Sequence, residues 1–201
     1  IIDESISLRL QESESPATAE YSTTSYDQAI RLEDDRVNLL ADFHASLGSG
    51  RIWFGDQFKS LRLKDYSSKF NFPALIPNSK IRFLLHFAGR SDAPSSFQLE
   101  INKQNYTGYL SQVNTGDVED TYADTYLLKG EHTLTSNTLN VVLKYPETGS
   151  TSEGWLDYIE LHARNELKYN QKPLVLRDYR SVEALTTEYH IKGSKNGLMC
   201  W

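Results

Sequence analysis

Lys80–Ala88 reads KIRFLLHFA, and its period of two decides the fold class. Ile81, Phe83, Leu85 and Phe87 fall on one face and Arg82, Leu84 and His86 on the other, as a half-buried strand requires. The alternation recurs in Phe97, Leu99 and Ile101 of SFQLEI and in Leu139, Val141, Leu143 and Tyr145 of TLNVVLKY. Residues 146–154, PETGSTSEG, are rich in turn formers. The next apolar run, WLDYIELHARNEL, fits two templates: Trp155, Ile159, Leu161 and Ala163 line a strand face, whereas Leu156, Ile159, Ala163 and Leu167 line a helix. Its Trp, Tyr and Ile content and its strand neighbours favour the strand, closing a hairpin with residues 138–145.

Shorter β-like pieces lie at residues 6–10, 37–43, 58–63, 121–128, 174–178, 187–191 and 198–201, while YDQAIRLEDDR, 26–36, has some helical character. Many short strands separated by turns predict an all-β chain, an antiparallel β-sandwich of jelly-roll or Ig-like type. Residues 1–168 are expected to form the sandwich. Residues 169–201, where the strands become shorter and more polar, are expected to be a linker and the start of a second small β domain leading to a downstream domain. The last residues, LMCW, read as the middle of an apolar strand, so the expectation is a piece of a longer protein.

With 39% hydrophobic and 24% charged residues, the chain of 201 residues has the composition of a folded globular protein. Its net charge of -6 and the lack of a dense Lys/Arg run argue against nucleic acid as a partner. No run approaches the roughly 20 apolar residues of a membrane-spanning helix. A single cysteine, Cys200, excludes an intrachain disulfide and a multi-thiolate metal site.

Catalytic motifs are scarce. The five histidines, His44, His86, His132, His162 and His190, form no HExxH or His-x-His pair, and GxSxG, GxxxxGK[ST] and GxGxxG do not occur. A carboxylate pair for glycoside hydrolysis could come from any two strands, but nothing in the sequence selects one. The densest acidic cluster, Asp117, Glu119, Asp120 and Asp124 in GDVEDTYAD, offers oxygen ligands for calcium without the EF-hand glycine and terminal glutamate; the alternative is a solvated loop. Among 12 tyrosines, Tyr106, Tyr109, Tyr122 and Tyr126 could present rings for stacking on sugars, or could serve as cross-strand packing.

The order SGRIWFGDQF, FNFP, IRFLLHFAGRS, GWLDYIELHARNEL and LMCW resembles the region upstream of the peptidase domain in PorU-type sortases, the gingipain-like cysteine peptidases of the bacterial type IX secretion system. The likeness spans residues 40–201, and its most specific blocks are 49–58 and 154–167. Asp56 stands where that family carries glutamate, and LHARNEL replaces a more basic stretch. The resemblance implies a Bacteroidetes-type, extracellular or outer-membrane-surface setting. It also implies a peptidase that removes C-terminal sorting signals, whose His-Gly and cysteine dyad lies downstream; this chain has no His-Gly pair. No catalytic residue is expected here, and no cofactor beyond calcium.

The motif residues Arg51, Trp53, Phe54, Gly55, Asp56, Trp155, Asp157 and Tyr158 are read as structural. Trp53 and Phe54 point to opposite faces with a tryptophan as core anchor, Gly55 permits a bulge or tight approach, and Asp56 bonds a backbone amide or pairs with Arg51. The expected function is a non-catalytic accessory domain of a surface peptidase or sortase. Its partners would be the downstream peptidase domain and cargo proteins with C-terminal sorting domains. The alternative is a carbohydrate-binding module-like surface domain that meets surface polysaccharide.

Overall fold

The structure is a computed structural model, and it describes residues 18–39, 52–117, 120–149, 151–169, 171 and 173–193. Among these the strands are β1 (Tyr21–Thr23), β2 (Ser25–Glu33), β3 (Gln57–Phe58), β4 (Leu63–Asp65), β5 (Lys80–Arg90), β6 (Ser95–Ile101), β7 (Gln104–Leu110), β8 (Asp124–Thr133), β9 (Val141–Lys144), β10 (Glu153–Glu166) and β11 (Thr187–Tyr189). Backbone contacts gather them into two compact units, Asp27–Asn165 and Ile1–Tyr26 with Glu166–Trp201.

The larger unit is a β-sandwich. One sheet has the order β2-β10-β5-β8, with β3 paired to the start of β10; the other has the order β4-β9-β6-β7. The β5–β8, β5–β10, β3–β10, β6–β7, β6–β9 and β4–β9 pairs are antiparallel. Between the sheets, Ile81, Phe83, Leu85 and Phe87 of β5 meet Phe97, Leu99 and Ile101 of β6, together with Leu143, Tyr145, Ile159 and Leu161. Each large side chain fully removed from water stabilises the fold by about 1.5–3 kcal/mol, so this face dominates. The rings of Phe87 and Phe97 lie 4.7 Å apart across the sandwich. Gly154 is required where it is: a Cβ there would stand 2.5 Å from Phe87 Cζ and 2.9 Å from Tyr145 Cδ1.

The β6–β7 hairpin closes through Asn102 and Lys103, both at positive φ (48° and 71°), as a two-residue primed turn demands. Asn102 stabilises this geometry by accepting from Asn140 N at 2.7 Å and donating to Thr138 O at 3.1 Å.

Several expectations about elements need correction. Residues 26–36 are not helical: Tyr26–Glu33 belong to β2, where tertiary pairing overrides local propensity, and 34–36 are irregular. Residues 155–166 do form a strand, but β9 and β10 belong to different sheets; the 145–152 connection crosses the sandwich instead of closing a hairpin. The 58–63 segment splits into the end of β3 and the start of β4, and 174–178 is irregular. Of 37–43, only residues 37–39 are described, and among them Val37 bridges to Phe54. Residues 6–10 and 198–201, with Cys200, lie outside the described residues, as do Arg51 and Glu119.

The smaller unit is built around a parallel pairing of β1 with β11, Ser22 opposite Glu188. Asp178 organises it. Its Oδ2 accepts from Tyr21 Oη at 3.0 Å, and its Oδ1 accepts from Arg180 N at 3.0 Å, capping a single 3-10 turn at Tyr179–Ser181.

Candidate functional site

The outer face of the β2-β10-β5-β8 sheet is half apolar and half charged. Near the β10 start, Trp155 sits opposite Ala88 and packs with Leu39, Phe54 and Ala123 in a small second core, with Tyr122 against it. Further along, the face carries His86, Tyr158, Glu160 and His162 of β5 and β10, and Arg31 and Glu33 of β2. The boundary is a β-bulge: the ladder runs Leu156–Phe87 and then Tyr158–His86, leaving Asp157 as the extra residue. A bulge re-aims one side chain, and here it sends a carboxylate to the outer face.

Asp157 is 7% exposed, and its Oδ2 lies 2.7 Å from His86 Nδ1. Burial raises its carboxyl above the ordinary range against the pull of His86, and the Glu33 charge adds to the rise. Ligand oxygens of Glu33, Asp35 and Asp157 all lie within 4.8 Å of one another. Arg31 supplies the nearby positive charge: it donates to Glu33 at 2.6 and 3.0 Å and to Glu160 at 3.1 Å, with its guanidinium 3.6 Å over the Tyr158 ring. Its bond holds the Glu33 carboxyl below the usual range. At Glu160 burial opposes the shift, yet bonds from Arg31 and His162 hold that carboxyl low as well. Three hard oxygens, one of them buried, suit a calcium- or magnesium-type cation.

Beside this group opens a cleft of about 130 Å³ whose polar lining is Asp34, Arg36, Asp56, Tyr66, Lys69 and Asp157. Asp56 accepts from Tyr66 Oη at 2.8 Å, pairs with Lys64 at 2.9 Å and faces Arg36 at 3.7 Å. Burial works against its charge, but the Lys64 and Tyr66 bonds prevail and hold the carboxyl low. Burial, then Asp56, drives the Tyr66 hydroxyl far above its usual range, so it remains a donor.

The two motif blocks meet here. Gly55 N donates to Leu156 O at 2.7 Å and Leu156 N donates to Asp56 O at 2.9 Å, which continues into the β3–β10 pairing. A Cβ on Gly55 would collide with Asp34 O, so the tight approach expected of this glycine is realised. The anchor is different from the one expected. Phe54 is fully buried, whereas Trp53 is 43% exposed; among the described residues the buried tryptophan is Trp155. Asp56 takes Lys64 and Tyr66 as its partners, while Arg51 is outside the described residues.

The four tyrosines do not form one platform. Tyr106 faces inward, its ring 4.5 Å from that of Phe83, and Tyr122 packs on Trp155 under the Arg90 guanidinium. Tyr109 is 69% exposed and Tyr126, near Phe97, is 39% exposed. Of the acidic loop, Asp120 accepts from Asn114 N and Thr121 N, and Asp124 accepts from Ser111 N; Asp117 N donates to Asn114 O. Those two carboxylates hold loop amides in place. The sequence did contain the signal for Glu33 and Asp35, in LEDDR, but His86 and Asp157 become partners only through the bulge.

No family model matches this sequence, and no curated protein does. Among solved structures, a carbohydrate-binding module, CBM36-1, from a multidomain xylanase of the Trinervitermes trinervoides hindgut metagenome reaches a TM-score of 0.34 at 10% identity, over 67% of this chain and 95% of that one. The CBM35 module of Cellvibrio japonicus Abf62 reaches 0.33 at 18% identity, over 67% and 92%. Dimeric latent PorU from Porphyromonas gingivalis is similar at a TM-score of 0.63 and 18% identity, over 86% of this chain; the chain spans 16% of the PorU chain, and what they share is a fold.

Proposed function

We propose that this chain is a non-catalytic accessory β-sandwich of a larger secreted, surface-associated peptidase of the PorU type, one that processes C-terminal sorting signals. The observation that carries the reading is the likeness of fold to part of PorU over 86% of the chain. It agrees with the sequence resemblance, whose two most specific blocks are the ones bonded together at Gly55, Asp56 and Leu156. The domain's work is positional: it holds a peptidase domain of the same polypeptide, or its cargo, at the outer-membrane surface. The carboxylates of Glu33, Asp35 and Asp157 take a divalent cation such as calcium, which ties the end of β2 to the bulge of β10.

Two measurements test this. The coding sequence that flanks the chain should hold a histidine followed by glycine and a later cysteine in an α/β peptidase pattern; a flank without them overturns the sortase reading. In a thermal-shift titration, a ligand that binds only the folded state raises the midpoint with concentration. A rise with the isolated sorting domain of a cargo protein supports the reading. Exposed Tyr109 and Tyr126 favour a carbohydrate-binding function as the second reading, and a rise with soluble polysaccharide alone would replace the first by it.

A further inference from the structure

The two sheets of the sandwich each end in an open edge on the same side, β7 in one and β8 in the other. Among the described residues no backbone ladder joins these edges. Side chains do: at one end Asp124 of β8 accepts from Ser111 N, just past β7, at 2.7 Å, and further along Tyr106 of β7 reaches across so that its Oη lies 3.0 Å from His132 Nδ1 and 3.2 Å from Glu131 O, both on β8. The phenol ring rests on Phe83 at 4.5 Å, and the imidazole stands nearly perpendicular to it at 84°.

His132 is 4% exposed, and its other nitrogen, Nε2, is buried without a hydrogen-bond partner. One arrangement satisfies the rest. Nδ1–H donates to Tyr106 Oη, the hydroxyl donates to Glu131 O, and Nε2 carries only a lone pair into the core. A bare acceptor in an apolar site costs far less than a buried charged N–H with nothing to accept it. The contact is therefore compatible with a neutral imidazole and incompatible with a protonated one.

The surroundings offer the cation no relief. Across the ladder on β5 the ring meets Ile81, and from β7 it meets the Tyr106 hydroxyl. The neighbouring charges, Glu131 on β8 and Lys80 and Arg82 on β5, are committed to one another at 2.6 and 3.2 Å.

We propose that the His132–Tyr106 contact is a proton-operated latch, closed when the imidazole is neutral and released when it takes up a proton, so that acid separates the β7 and β8 edges while the rest of the sandwich persists. Burial lowers the His132 pKa from its ordinary value of 6.5. The unfolded or opened chain therefore binds the proton first, and the stabilisation is full above about pH 6.5 and is lost as pH falls below it. This inference concerns the sandwich itself and stands whether or not the sortase reading does.

Hydrogen exchange followed by mass spectrometry on the full chain tests it, at about pH 7.5 and about pH 5 with correction for intrinsic rates. In the wild type, peptides from 104–110 and 124–133 should lose protection by about ten-fold or more at the lower pH, while those from 153–163 hold. In His132→Gln the edge peptides should show no such pH dependence. Equal wild-type protection at both pH values, or a His132→Gln protein that still opens in acid, overturns the latch. If His132→Gln does not fold, nitrogen NMR of the wild-type imidazole decides. A His132 ring that becomes protonated with the edge amides unchanged also overturns the proposal, and protonation that coincides with their loss supports it.

Discussion

Strands β6 and β10 obey different rules within one sandwich. In β6 burial alternates without exception: Ser95, Phe97, Leu99 and Ile101 face in, and Ser96, Gln98 and Glu100 face partly solvated surroundings. In β10 the four residues Gly154, Trp155, Leu156 and Asp157 are all buried, because the inner core takes one face and the Phe54–Trp155 cluster takes the other. Alternation reports a strand with one wet face. Where both faces are covered, hydrophobicity stops distinguishing them, and a buried carboxylate is what marks the second face as special.

The hardest way to strain the comparison is to cut each strand's inner face. Phe97→Ala in β6 should cost about 3–5 kcal/mol in chemical denaturation, since a fully buried ring leaves a cavity that a sandwich closes poorly. Gly154→Ala in β10 should cost less, about 1–3 kcal/mol, because the Phe87 and Tyr145 rings must yield to the new methyl group. If Gly154→Ala proves neutral, the packing on the inner side of β10 is looser than described.

Next in size is the polar junction. Tyr66→Phe removes the 2.8 Å donor to Asp56 and should lower stability by about 1 kcal/mol, with Lys64 left to hold the carboxylate. Asp157→Asn should act in the opposite direction. The native carboxyl is raised above its unfolded value, so its stabilising contribution is greatest in acid and falls as pH rises through the unfolded carboxylate range of about 3.9 towards the native value. At neutral pH without added cation, Asp157→Asn should melt at or slightly above the wild type. Calcium should then raise the wild-type midpoint and leave the variant unmoved; identical responses would remove the cation from the reading. Smallest of all, Lys59→Ala breaks an exposed pair with Glu153 at 2.5 Å and should change stability by no more than about 0.5 kcal/mol in the same denaturation assay.

What the residues reveal in advance follows the same division. The inner faces of β5 and β6 could be read position by position, and the strand character of 155–166 followed from composition. Sheet membership could not: the turn-rich stretch after Tyr145 looks the same whether it closes a hairpin or crosses from one sheet to the other. Trp53 looked like the anchor because tryptophan is large, yet Phe54 is the ring that the bridge to Val37 turns inward. The candidate cation group was only half legible. Glu33 and Asp35 are close in sequence, but Asp157 joins them through an irregularity of pairing, and nothing in the string LDYIE announces that one of its letters has no partner across the ladder.

The bulge also divides β10 into two half-strands that are out of phase. Removal of the single codon for Asp157 would bring them back into step, keeping Leu156 over Phe87 and Ile159 over Leu85 while erasing the buried carboxylate and the partner of His86. A chain of this fold can therefore gain or lose the outer site by one in-frame indel with its core untouched. Relatives aligned on hydrophobic rhythm alone would show that event as a slipped column at Asp157.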